Sequence, residues 1–228
     1  MESAPSLAWA SLVIDLLVFD LDGTLADSRG DIAAAVNELR AVLDRPPLPE
    51  ERIYGFIGNG VRVLLERSLE DAFPVSLDDA VARYLPIYRR RLLDTTRAYP
   101  GVREALSQLE HQATLAVLTN KPRPESVLLL EGLDLARHFQ LIYGGEDFPE
   151  RKPHPMALNA LIEETGRRRQ ATLLVGDSLV DLETARNGEV AFCLVDYGEW
   201  LARNDVRLRS DDLRVSDLRN LAVLLRDR

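Results

Sequence analysis

The 228-residue chain carries 28 Lys or Arg against 37 Asp or Glu, a formal net charge of −9, and is 46% hydrophobic and 29% charged. This composition fits an ordinary globular protein and excludes collagen-like, disordered and disulfide-scaffold classes. The acidic balance and 6% aromatic content argue against a general nucleic-acid surface, which needs clustered cations and stacking rings. The runs Arg89-Arg90-Arg91 and Arg167-Arg168-Arg169 are too short to form a basic tract. Only two of the 28 basic residues are lysines, Lys121 and Lys152, and each directly precedes a proline.

At about 150 residues per domain, the length suggests one large domain or a domain carrying an insertion. The single Cys193 precludes an intramolecular disulfide and fits a reducing compartment, expected to be the cytoplasm. No apolar run approaches the roughly 20 residues that span a bilayer, so no membrane association is expected. Met1 to Ile14 has neither a basic leading region nor a small-residue cleavage site, and reads as a short extension.

Leu12 to Phe19, rich in leucine and β-branched residues, predicts a buried parallel strand ended by the turn Asp20-Leu21-Asp22-Gly23. Next come about ninety residues before another strand, far more than the roughly 2–6 of a strand-to-helix loop. Apolar residues three and four apart predict helices over Asp31 to Leu43, Gly60 to Ala72 and Leu77 to Leu93, with Pro86 expected to kink or split the last. The economical parse is a four-helix-like insertion over residues 25–96. Strands are then predicted at Thr114 to Leu118, Gln140 to Tyr143, Ala171 to Val175 and Val190 to Val195. Helices fall between them at Val102 to Glu110, Glu125 to Glu131, Pro155 to Thr165 and Leu179 to Asn187. Alternation of this kind implies right-handed crossovers and a parallel sheet covered on both faces, an α/β core.

Four polar segments fall at or just beyond strand ends, where open α/β sheets bind ligands. In Asp20 to Ser28 (DLDGTLADS), Asp20 and Asp22 project to one side as the chain leaves the strand. Paired carboxylates invite a metal ion, a shared proton, or separate nucleophilic and acid/base roles. Gly23 and Thr24 offer backbone N–H groups that could hold phosphate oxygens; a turn with a helix cap is the plain alternative. Thr119-Asn120-Lys121 places a hydroxyl, an amide and an ammonium after a strand, suited to phosphate or simply to capping. Lys152, between Arg151 and Pro153, could neutralise charge on a phosphoryl group or be a solvated loop lysine. His154 reads as a helix-start or surface residue rather than a base. Asp177-Ser178-Leu179-Val180-Asp181 follows an apolar strand, where acidic groups need a cation or donors. With Asp20 they could complete an oxygen-rich Mg²⁺ site, or the segment could merely be a helix N-cap.

In this order and spacing the segments resemble the haloacid dehalogenase superfamily, whose phosphatases carry DxDGT, a strand-end Thr or Ser, a Lys, and GDxxxD. The likeness runs from Val13 to about Gly198 and is greatest to phosphoglycolate phosphatases: DLDGTLADS, DIAAAVN, IGNGVRVLLERSL, YPGV, TNKP and GDS all stand in this sequence. The resemblance implies a Rossmann-like core (1–24 and 97–228) with a helical cap (25–96). It also implies that Asp20 is the nucleophile, Asp22 the acid and base, and that Thr119 and Lys152 hold the phosphoryl group with Asn120 beside them. Mg²⁺ would be bound by Asp20, the Asp22 carbonyl and Asp177, supported by Ser178 and Asp181. The family's dehalogenases lack an aspartate at the place of Asp22, so a phosphatase is expected. Val180, Asn187-Gly188-Glu189 and the DYGEW segment at 196–200 depart from the usual pattern, the last bearing on substrate rather than reaction.

The cap would select the substrate. Gly58-Asn59-Gly60 is a flexible turn before a helix N-terminus, which favours anions. With Arg62 it could meet the carboxylate of a small phosphorylated acid, Lys121 lying on the substrate side or behind it; a bare helix–helix turn is the alternative. The expected partner is a small phosphorylated metabolite, 2-phosphoglycolate before others, acted on by a monomer or homodimer. Rival readings are a sugar-phosphate phosphatase or β-phosphoglucomutase-like mutase, a response-regulator-type module, and a non-catalytic relative.

Overall fold

The computed structural model describes residues 13–71, 75–197 and 208–226. Strand β1 (Leu16–Phe19) is buried on both faces and begins a six-stranded, all-parallel sheet. With β4 (Thr114–Leu118), β5 (Leu141–Tyr143), β6 (Thr172–Gly176), β7 (Ala191–Val195) and β8 (Leu213–Val215), the order is β5-β4-β1-β6-β7-β8. Register is fixed by pairs such as Leu17 with Leu115 on one side and Leu173 on the other.

Alternation divides the core into two layers. Leu17 and Phe19 pack with residues of α5 (Val102–Leu109), α6 (Arg123–Gly132) and α9 (Leu218–Arg226); Leu16 and Val18 pack with α7 (Met156–Thr165) and α8 (Leu179–Asn187). A side chain removed completely from water on either layer contributes about 1.5–3 kcal/mol, which makes β1, buried throughout, the central element.

Between β1 and α5, four helices lie among the described residues, α1 (Arg29–Val42), α2 (Glu50–Tyr54), α3 (Val61–Ser68) and α4 (Leu77–Arg91). The segment is bracketed by a small antiparallel pair, β2 (Ala26–Asp27) with β3 (Arg97–Ala98), which ties its two connections together. Asp31, buried in the first turn of α1, accepts from the backbone N–H and hydroxyl of both Thr95 and Thr96 in the returning connection.

Two expectations change. Helix α4 runs unbroken through Pro86. Proline removes only the N–H that would reach the Ala82 carbonyl, while Tyr84, Ile87 and Tyr88 are buried around it and hold the helix. The sequence reading also stops at Val195, whereas β8 extends the sheet and α9 covers it against α5. Leu12, Ala72 and residues 198–200 of DYGEW lie outside the described residues.

Candidate active site

Each chemical segment leaves the C-terminal end of a parallel strand. The Asp20 N–H still bonds the Val175 carbonyl at 3.0 Å, so its side chain is fixed where β1 ends beside β6. Lys152 Nζ lies 2.9 Å from Asp20 Oδ1 and donates to Asp181 Oδ1 at 2.6 Å, its side chain 2% exposed. Asp181 Oδ2 accepts from the Ser178 hydroxyl at 2.5 Å and its N–H at 3.1 Å, closing a capping box at the start of α8. Capping and ion pairing thus coexist in one residue: Asp181 anchors the helix and holds the lysine.

Asp177 is the other buried carboxylate, and Thr24 Oγ1 donates to its Oδ1 at 2.8 Å. Gly23, at φ +89°, lies against it so closely that a Cβ would overlap the carboxylate. Burial pushes Asp20 up to about 6, a rise opposed by Lys152 and reinforced by Asp181. Burial and the charges of Asp181 and Asp20 hold Asp177 well above the usual range. Lys152, which burial alone would depress, is held above its ordinary value by Asp181 and Asp20.

Carboxylate oxygens of Asp20, Asp177 and Asp181 lie within 4.8 Å of one another. Three buried acids beside one ammonium leave negative charge that a hard cation would neutralise. Both Asp181 oxygens are already engaged by Lys152 and Ser178, so Asp20 and Asp177 retain the more open lone pairs. This donor set fits a divalent metal.

Asp22 points into the same pocket as Asp20. Its carboxylate accepts from Ser28 Oγ at 2.5 Å and from Lys121 Nζ at 3.0 and 3.1 Å. Lys121 also reaches Tyr88 Oη of α4 at 2.5 Å. Thr119 and Asn120 complete this wall, and Ile32, Ile57, Gly58, Gly60, Val61, Leu64, Tyr84 and Leu85 close the side formed by the helical segment. The cavity measures ≈ 50 Å³.

Several expected ligand contacts are placed differently. The Gly23 and Thr24 N–H groups donate to the Ala26 and Leu21 carbonyls, so they close the turn instead of facing a phosphate. Asn120 Nδ2 bridges the Gly58 and Lys152 carbonyls, each at 3.0 Å, joining the helical segment to the core. Arg62, about half exposed, pairs with Asp78 at 2.6 Å, and neither it nor Asn59 lines the cavity. A guanidinium on the outward face of α3 finds its carboxylate across that face, not in the pocket. Conversely, Ser28 and Tyr88 meet the acid–ammonium pair although the sequence reading gave them no role. Ser28 stood within a quoted motif, and Tyr84 and Tyr88, one helical turn apart, are the signal on α4. His154 accepts from the Met156 N–H at the start of α7, away from the chemistry.

The sequence profile of the haloacid dehalogenase-like hydrolases matches residues 17–195. The chain belongs to this family. Among haloacid dehalogenase-like hydrolases it is 36% identical to a phosphoglycolate phosphatase of Chromobacterium violaceum, over 94% of this chain and 97% of that one. It is 40% identical to one of Nitrosospira multiformis, over 88% and 91% of the two chains. A crystal structure of a predicted phosphoglycolate phosphatase from Haemophilus somnus superposes with a TM-score of 0.84 at 28% identity, covering 94% of this chain and 99% of that one. As in these family members, the chemistry here is that of a phosphoric monoester hydrolase. No described helix is long and apolar enough to cross a membrane.

Proposed function

We propose that this hydrolase removes phosphate from a small carboxylated ester, 2-phosphoglycolate, giving glycolate and phosphate through an aspartyl-phosphate on Asp20. Relatives called phosphoglycolate phosphatases, 36–40% identical over most of both chains, support the substrate. The observation that carries the reading is the pocket itself. It joins Asp20, Asp22 and Thr119 to a cavity of ≈ 50 Å³ with one cation, Lys121, on its wall. A single cation facing a mostly apolar wall suits a small ester that carries a carboxylate.

The core, residues 1–24 and 97–228, supplies the chemistry, and the cap, 25–96, the walls of the pocket. Asp20 attacks phosphorus. Asp22 gives a proton to the leaving alkoxide and then takes one from the water that hydrolyses the acyl phosphate. Lys152 donates to the phosphoryl oxygens from a position set by Asp181. Thr119 Oγ1 accepts from the Lys121 N–H at 3.2 Å, leaving its proton for a phosphoryl oxygen. Asp20 and Asp177, with the Asp22 carbonyl, would hold Mg²⁺, whose charge when bound offsets that of the phosphoryl oxygens and the neighbouring carboxylates. Most of the acceleration is alignment and charge neutralisation.

Phosphate release from a panel of small esters and hexose phosphates, with Mg²⁺ or EDTA, tests this. 2-Phosphoglycolate is expected to have the highest kcat/KM and EDTA to abolish turnover. A hexose phosphate as best substrate would overturn the substrate, and activity in EDTA would overturn the metal.

A further inference from the structure

Lys121 is buried at the seam between core and cap, its side chain 4% exposed. All three ammonium protons have partners: the two oxygens of Asp22 and the hydroxyl of Tyr88. The Tyr88 ring lies 4.5 Å from Nζ and its phenol is fully enclosed, so the ammonium has one position. Asp22, 14% exposed, is therefore held by Lys121 and by Ser28. That is an unexpected posture for a group that must hand a proton to a leaving oxygen.

The remainder of the pocket wall is mostly apolar, and Lys121 is the only cation among the described residues lining it. Lys152 is bound to Asp20 and Asp181, and Arg62 to Asp78 on the outer face. A carboxylate entering such a cavity is strongly disfavoured unless it meets a cation. Lys121 is available, but only by exchange, because Asp22 already occupies it.

We infer that Lys121 is the specificity-determining residue of the site and that it works as a latch on Asp22. The leaving-group carboxylate takes the place of Asp22 on the ammonium, and the released Asp22 carboxylate takes the proton carried by the phosphate monoanion and turns to deliver it to the leaving oxygen. Tyr88 holds the ammonium still, so that one anion replaces another at a fixed point. An ester without a carboxylate cannot make the exchange, and its acid stays paired. The leaving group's charge is thus sensed in kcat as well as in KM. This inference rests on the proposed carboxylated substrate.

The test compares 2-phosphoglycolate with ethyl phosphate, in which a methyl group replaces the carboxylate, on wild type, Lys121→Met and Tyr88→Phe. Wild type is expected to prefer 2-phosphoglycolate. Lys121→Met is expected to lower kcat/KM for 2-phosphoglycolate roughly 10- to 100-fold, the range of one charge-assisted hydrogen bond. It is also expected to raise kcat for ethyl phosphate, because the latch is gone. Tyr88→Phe keeps the ring and frees the ammonium, so the preference narrows several-fold; it serves if Lys121→Met does not fold. Equal losses on both esters in Lys121→Met, or an unaltered preference in Tyr88→Phe, would overturn the latch while leaving the substrate standing. Wild type that hydrolyses ethyl phosphate as well as 2-phosphoglycolate would overturn the substrate reading and the latch with it.

Discussion

Lys152 is pressed between two carboxylates, 2.9 Å from Asp20 and 2.6 Å from Asp181, with almost no contact with solvent. A compact ammonium fits this gap, and a planar guanidinium with five fixed donors does not. In a chain with only one other lysine, Lys152→Arg is expected to lower kcat by about 10²-fold or more, the scale of losing an aligned transition-state donor; steady-state kinetics reads it. The carboxylates make a second claim. Asp20 is raised to about 6 by burial, against the pull of Lys152, and Asp177 is also raised by burial and by the charges of Asp181 and Asp20. A raised acid stabilises the fold below its unfolded value, near 3.8, and that stability is lost as pH climbs through the folded value. In EDTA, Tm is therefore expected to fall as pH rises from about 4 to about 6, and Mg²⁺ to restore it more at pH 7.5 than at pH 5. Asp177→Asn, which removes one of these charges, is expected to raise Tm in EDTA at pH 7.5. Differential scanning fluorimetry decides, and a lower Tm for Asp177→Asn would contradict this reading of the cluster.

At the scale of elements, the connections between core and cap carry the next expectation. Asp31 receives four donors from Thr95 and Thr96, two N–H groups and two hydroxyls. Burial raises its pKa, but these bonds outweigh it and the net value is lowered. Its stabilisation is present above the unfolded value and lost as pH falls through the folded one. Asp31→Asn turns an amide toward N–H donors and is expected to cost about 1–3 kcal/mol, read as a lower Tm at pH 7. The gap should shrink in acid. Element by element, the long runs were legible because burial on both faces of β1, β4 and β6 demands continuous apolar sequence. The three-residue β8 was not: Leu213 and Val215 are buried around exposed Arg214, too short a pattern to separate from a loop. Pro86 misled because sequence records the lost N–H and not the packing of Tyr84, Ile87 and Tyr88 that holds α4 together.

For the whole molecule, the parallel sheet brings four distant segments to one edge, and this convergence made Asp20, Asp22, Thr119, Lys152, Asp177 and Asp181 readable as one site. Strand ends are fixed by the sheet, so motif order was enough. The cap was less readable, because which face of a helix meets the core depends on packing that local spacing does not encode. Arg62 therefore faces Asp78, while Tyr88 reaches Lys121. The first arginine run also finds acidic partners, Arg89 on Glu125 and Arg90 and Arg91 on Glu38, leaving no basic tract there for a polyanion. The apolar cap wall of the pocket further implies that trimming it changes selectivity. Leu64→Ala is expected to raise kcat/KM for larger esters relative to 2-phosphoglycolate, measured on the same panel. Central to the proposed function is a phosphoryl group passing through Asp20. Acid-quenched enzyme turning over 2-phosphoglycolate, digested and analysed by mass spectrometry, is expected to carry one phosphoryl group on the peptide holding Asp20, and none in Asp20→Asn. Steady turnover with that peptide never modified, or an Asp20→Asn variant that still releases phosphate at the wild-type rate, would contradict it.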